Sequence, residues 1–334
     1  MKRIKFFGAG IMGLFLLSLI GAGCFLATPV ESAPIVMRIG HSMPTNHGYH
    51  IWAEKFKEEL AKTMKDRVDI QIFPNGQLGK ETEYLEGMRM GTLDASILGR
   101  HGQVDIRLEV LNFPMIYRDQ KHQDAILRQN SKLQQDLDNI FYEKGYKCLG
   151  WGVLGDRHVT TKDRAVRKAS DLKGLDIRIP NVPVYLAAFK AWGANPTPLD
   201  FTEVYSALQQ GVIKAQENPP EIIFTSRFYE VQKYLNLTAH SDMPCEFLVG
   251  KNYWEKLPKD VQEAIQKAAT VSRDYHVKLV REANDKLVDE LGKKGMIIVR
   301  DVDRKSFVPG AEEAYKQFED KVGKELIQRV KDAK

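Results

Sequence analysis

Three groups of residues have types and spacings that could do chemistry. The first is GAGIMG, Gly8 to Gly13, which fits the G-x-G-x-x-G pattern of a pyrophosphate cradle. That pattern needs a strand before it, an amphipathic helix after it and an acid about 20 residues on. Glu31 has the spacing, but LFLLSLIGAGCFLA, starting at Leu14, has no polar face to show to water. The second group is His41, His47 and His50, with Glu54 one helical turn beyond His50. H-x-x-H can bring two imidazoles near one metal, but no cysteine joins them, and no metal is expected. The third is Arg178 in GLDIRIPN, set between Ile177 and Ile179. On a strand the two isoleucines share one face and the guanidinium takes the other, where its planar fork can match a carboxylate.

Lys2, Arg3 and Lys5, then the apolar run, then VESA have the order of a secretory signal peptide, expected to end at Ser32. GAGC, ending at Cys24, is a weak lipoprotein box because Gly21 stands where leucine is usual, so ordinary cleavage is favoured. Losing residues 1–32 removes three positive charges and one negative, taking the formal charge from +5 to +3. No block of clustered basic and aromatic residues marks a nucleic-acid surface. Apolar content of 43% and charged content of 28% are those of a soluble globular protein. Cys148 and Cys245 remain after cleavage; export permits a bridge, but two buried free thiols are the simpler reading.

The mature chain alternates strand and helix patterns. IVMRIGH reads as a strand, and Trp52, Phe56, Leu60 and Met64 fall on one helical face. VDIQIFP alternates as a half-buried strand does, and GTLDASILG follows a helix at Lys80 to Met90. Such an order implies right-handed crossovers and a largely parallel sheet. The pattern repeats from KCLGWGVLG through GLDIRIPN, VYLAAFKAWG and TEVYSALQQG. Residues 257–295 then form one long helical pattern, with Val261, Ile265, Ala268, Tyr275, Leu279, Ala283, Leu287 and Leu291 as its apolar stripe. A helix of that length crosses between domains or kinks. Two sheet domains, each completed by a later part of the chain, leave a cleft between them, the usual place for a small ligand.

WGANPTPLDFTEVYSALQQGVIKAQENPP, after GLDIRIPN, resembles the solute-binding proteins of TRAP transporters, the tripartite ATP-independent periplasmic carriers. The likeness continues through FPNGQLGKETEYLEGMRMGTLDASI, NFPMIYRD and YWEKLP. It implies an α/β, two-lobed periplasmic binding protein with a ligand cleft between the lobes and a long helix linking them. The lobes would be residues 33–154 with 244–283, and 155–243 with 284–330. The family arginine of the I-R-x-P strand, which holds the ligand carboxylate, maps onto Arg178. A second arginine maps onto Arg157, the Q-E-N-P asparagine onto Asn218, and a ring stacked near the ligand onto Phe201. Asn181 and His240 fall at cleft positions of the sialic-acid branch, and His41 at the mouth of the site. The chain departs from the family at Lys214 and Ala215, where an acid and a glycine are usual. It also has no acid near Gly99 to hold sialic acid hydroxyls.

The resemblance thus implies a periplasmic protein without cofactor or enzymatic activity. It would capture a carboxylate, either a C4-dicarboxylate or a sugar acid such as an aldonate or uronate, and pass it to TRAP membrane permease subunits. A ligand sensor feeding a histidine kinase is the alternative, and an exported hydrolase a weaker one, since no nucleophile elbow, H-E-x-x-H, P-loop or C-x-x-C occurs.

Overall fold

The computed structural model describes residues 33–334. The expected signal peptide, with GAGIMG and Cys24, lies outside the described residues. Three strands come first, β1 (Ile35–Gly40), β2 (Val68–Phe73) and β3 (Ala95–Leu98), separated by helices α1 (Gly48–Met64) and α2 (Glu81–Met90). Then follow β4 (Tyr146–Gly152), β5 (Arg157–Thr161), β6 (Asp176–Ile179), β7 (Asn195–Pro198) and β8 (Ala215–Asn218). The last three are β9 (Tyr234–Ser241), β10 (Cys245–Gly250) and β11 (Ile297–Val299).

They form two sheets, ordered β2-β1-β3-β10-β4 and β11-β9-β5-β8-β6-β7. The first three strands run parallel, as the alternation of elements implies. Neither sheet is parallel throughout, however. β10 enters the first antiparallel to both β3 and β4, and β5 lies antiparallel to β8 and β9 in the second. The chain passes from the first sheet to the second at residues 153–156 and returns at 242–244, and each return strand enters against its neighbours. Cys148 and Cys245 are buried free thiols on the neighbouring strands β4 and β10.

Local sequence explains the elements around the cleft. His47 caps α1, its Nδ1 accepting from the Tyr49 amide at 3.0 Å. Tyr49, Trp52, Phe56 and Leu60 then bury one helical face. Trp52 stacks on His276, with ring centroids 4.6 Å apart, and meets Phe247 edge-on at 5.6 Å, tying α1 to the long helix and to β10. Truncating such a ring to alanine costs roughly 3–5 kcal/mol. The TEVYSALQQG helix stops where Gly211 takes φ +75°, a left-handed conformation that favours glycine.

The long helix runs from Lys259 to Lys293, 35 residues or about 50 Å. It packs against α1 and β4 and also against β11, so it links the two sheets. Its buried stripe differs from the expected one in the second half. Tyr275 is exposed, and Leu279, Ala283 and Leu287 are only half-buried. Ser272, His276, Val280, Asn284 and Val288 face inward instead. The reason is polar: this stretch covers the segment that crosses between the sheets, whose backbone needs partners. His276 Nε2 lies 3.0 Å from the Val153 carbonyl, and Asn284 Nδ2 donates to the Leu154 carbonyl at 3.1 Å. An apolar stripe could not have done this.

Candidate functional site

β6 carries Arg178 between two core residues, Ile177 and Ile179, both fully buried. Arg178 is itself only 1% exposed. Its Nε and Nη2 donate to the Leu199 carbonyl at 2.9 and 2.6 Å, and among the described residues it has no carboxylate partner. Burial lowers its pKa to about 9; the Arg100 charge adds to this, and Arg157 less, while Glu217 and then Glu81 pull the other way. A buried cation without an acid is costly to keep and is satisfied when an anion arrives.

Arg157, at the start of β5, differs. Its Nε and Nη2 meet Glu217 Oε2 and Oε1 at 2.5 and 2.8 Å, and Nη2 also donates to Asn218 Oδ1 at 3.0 Å. Burial alone would push the Glu217 carboxyl up, but Arg157 and His240 together hold it down to about 2. Glu217 and Asn218 come from β8, whose antiparallel pairing with β5 sets His158 opposite Asn218 and brings the acid to the arginine.

Residues of the first sheet's half face this pair of strands. Arg100, just beyond β3, places Nε 2.8 Å from Oε2 of Glu81, the first residue of α2. Ser42 Oγ donates to Glu81 Oε1 at 2.9 Å. With the two strands, Arg100 and Glu81 bound a cavity lined by Arg100, Arg157, Arg178, Glu81, Asn218 and Phe201, with apolar walls from Met43 and Met243. Size does not single this cavity out, since the hollow beside Trp151 and Gln266 is larger. Charge does, through Arg178.

Four of the seven residues singled out from sequence, Arg178, Arg157, Asn218 and Phe201, line one cavity. The other three do not. His240 is fully buried behind Glu217, 3.1 Å from its Oε2, with the rings of Phe189 and Trp192 packed edge-on against it. Asn181 is exposed, because the chain turns after Pro180, and offers its backbone carbonyl to Gln103 Nε2 at 3.0 Å. His41 is fully buried rather than at a mouth, with Nε2 3.2 Å from His50 Nδ1. Burial lowers its pKa to about 3, assisted by His50 and His47. Sequence reasoning missed Glu81 and Glu217. The second stood next to Asn218 in QENP, whereas no local pattern marks the first.

The edges of the cavity are joined across the two halves. Lys80 Nζ lies 3.0 Å from Asp200 Oδ2 and 3.4 Å from Glu203 Oε1, and the Gly48 amide donates to Glu221 Oε1 at 2.8 Å.

Two mixed sheets joined by crossing segments and a long helix, closed over a buried arginine with no acid partner among the described residues, define a two-lobed solute-binding protein. The family model described as bacterial extracellular solute-binding protein, family 7, matches residues 39–321, and the chain belongs to that family. It is 34% identical over 273 residues to the 2,3-diketo-L-gulonate-binding periplasmic protein YiaO of Escherichia coli (strain K12), covering 81% of this chain and 83% of that protein. A TRAP periplasmic solute-binding protein from Polaromonas sp. JS666, bound to D-erythronate, superposes with a TM-score of 0.86 at 31% identity, covering 90% of this chain and 99% of the other. One from Shewanella oneidensis with bound succinate gives a TM-score of 0.85 at 26% identity, again over 90% and 99%. The chain is thus a solute-binding protein of the TRAP type, a family of substrate-binding transport proteins.

Proposed function

We propose that this protein captures an organic acid in the periplasm, a sugar acid or a C4-dicarboxylate, and presents it to TRAP membrane permease subunits. Arg178 holds the carboxylate through its planar fork. Arg157 and Asn218 supply further donors, and Phe201 packs against the ligand's carbon chain. Residues 33–154 with 244–283 act as one lobe and 155–243 with 284–330 as the other, closing by a hinge at the crossing segments. Residues 1–32 direct export and are removed. The protein binds and releases its ligand without chemistry.

The observation that carries this reading is the buried Arg178 guanidinium with no acid partner among the described residues. The names of the relatives agree with it, since each bound compound carries a carboxylate. A thermal-shift panel of D-erythronate, L-galactonate, D-glucuronate, pantoate and succinate tests it. At about 100 times its dissociation constant a true ligand adds about 2.7 kcal/mol of stability. The expected result is a shift with at least one acid that is abolished in Arg178→Ala. No shift with any acid sinks the proposal.

A further inference from the structure

We propose that the cleft is charged for a ligand with one carboxylate and a hydroxylated far end, and that Glu81 turns a second carboxylate away. This rests on the reading of Arg178 as the carboxylate anchor. The cavity is lined by three guanidinium groups, Arg100, Arg157 and Arg178, and one carboxylate, Glu81; Glu217 backs Arg157, and Glu246, behind Arg100, faces His101 at 3.0 Å. Glu217 answers Arg157 through both its oxygens. Glu81 answers Arg100, Nε to Oε2 at 2.8 Å. One unit of positive charge is left, and it belongs to Arg178.

A single ligand carboxylate balances that charge. A second one has nowhere favourable to go. Arg100 is the remaining cation on the facing side, and a ligand carboxylate reaching it meets Glu81, which is 7% exposed and cannot be screened by water. Two carboxylates sharing one buried site cannot both ionise without a large cost. Displacing Glu81 from Arg100 only exchanges one unpaired buried acid for another.

Hydroxyl groups suit the same place. Glu81 Oε1 accepts from Ser42 Oγ at 2.9 Å, and Oε2 faces Arg100 Nε at 2.8 Å in an ion pair. An ionised carboxylate has about four lone-pair sites, so two remain for donors. A ligand hydroxyl can donate there, whereas a ligand carboxylate, being acceptor-only, cannot. A site built to accept hydrogen bonds discriminates strongly against an analogue that lacks the donor. Glu81 is therefore a specificity residue of the proposed binding site. It is distinct from the anchor.

The test is calorimetry at pH 7.5 on wild type, Glu81→Gln and Glu81→Asp, with D-erythronate, L-galactonate and pantoate as monocarboxylates and succinate and malate as dicarboxylates. Wild type should bind its best monocarboxylate at least about 100-fold more tightly than either dicarboxylate, a difference of about 2.7 kcal/mol. Glu81→Gln should shrink that ratio at least about tenfold, with the dicarboxylate gaining in absolute affinity. Glu81→Asp, which keeps the charge, should keep the preference. Thermal melts without ligand show whether each variant folds, and Glu81→Asp covers a failure of the amide. Tight dicarboxylate binding by wild type, or a ratio unmoved in Glu81→Gln, overturns the inference. Arg178→Ala separates the two readings: if its affinity for the best acid is unchanged, the anchor fails; if it is lost while the Glu81 ratio stays fixed, only this inference fails.

Discussion

Arg157 and Glu217 face each other across the β5–β8 pairing with guanidinium–carboxylate contacts of 2.5 and 2.8 Å, and this pairing leaves Arg178 as the cleft's unanswered charge. Both arginines are almost fully buried. What distinguishes them is register: β8 sets Glu217 beside Arg157, while Arg178 on β6 finds only the Leu199 carbonyl.

Glu217→Gln should therefore destabilise the ligand-free protein by roughly 3–5 kcal/mol, because it leaves a second buried guanidinium unpaired. In the unfolded chain Glu217 titrates near the usual glutamate value of about 4.3, whereas in the fold its carboxyl is held at about 2. The stability it contributes is present above the unfolded value and lost as pH falls toward 2. The variant's deficit should thus be large at pH 7 and smaller at pH 3. Urea unfolding at the two values measures it, and an equal deficit at both contradicts the charge argument.

Arg178→Ala should weaken binding of the best acid by roughly 2–5 kcal/mol. Arg178→Lys should also lose much of the affinity, since an ammonium keeps the charge but not the fork. Ligand-free stability should move the other way in Arg178→Met. Replacing a buried charge by an apolar group of similar volume is often neutral or stabilising. A higher or equal melting temperature with binding lost is the expected pair of results. Binding retained in Arg178→Ala removes the anchor.

Much of this site was legible because its residues carry local signals. The Ile177–Arg178–Ile179 alternation placed one guanidinium opposite two core residues, and NPTP, QENP and Gly211 marked the segments around it. The rest was hidden for a physical reason. CEFLVG is buried at every position, so its pattern gives no direction, and its antiparallel entry beside β3 and β4 could not be read from it. Glu81 meets Ser42 and Arg100 only after three separate segments converge. The polar stripe of the long helix was misjudged for a like reason, because the carbonyls of Val153 and Leu154 that choose His276 and Asn284 lie over 120 residues away.

Lys80 joins the two halves at the edge of the cleft without lining it, through Asp200 and Glu203. The residues are substantially exposed, and such pairs are worth about 0.2–1 kcal/mol. Lys80→Ala should speed ligand release by up to about fivefold while leaving the association rate nearly unchanged. The difference from wild type should fade at high salt, which screens exposed charges. Stopped-flow fluorescence at two ionic strengths provides the measurement, and an unchanged release rate at low salt rules out a closing role for this contact.

Asp156 lies where the chain crosses from β4 to β5, and Asp242 where it crosses back from β9 to β10; both line a cavity with Gln123, His158, Arg281 and Asp285. Gln123 Nε2 donates to the Asp242 carbonyl at 2.8 Å, yet Asp242 Oδ1 has no partner among the described residues. Burial, then the neighbouring charge of Asp156, pushes the Asp242 carboxyl up to about 7. Its unfolded value is about 3.9, so the fold holds the proton more tightly than the unfolded chain does. The stabilisation is complete below the unfolded value and is lost as pH rises through about 7. His158, in the same cavity, works in the opposite sense. Burial lowers it to about 3, so its contribution is lost as pH falls. Only a comparison of variants separates the two. Asp242→Asn keeps the shape and cannot ionise, so its stability relative to wild type should rise with pH by on the order of 1 kcal/mol per unit between about 4 and 7, then level off. Urea unfolding of both proteins from pH 4 to 8 decides it, and a difference between Asp242→Asn and wild type that stays constant with pH would mean that Asp242 is ionised in the fold throughout.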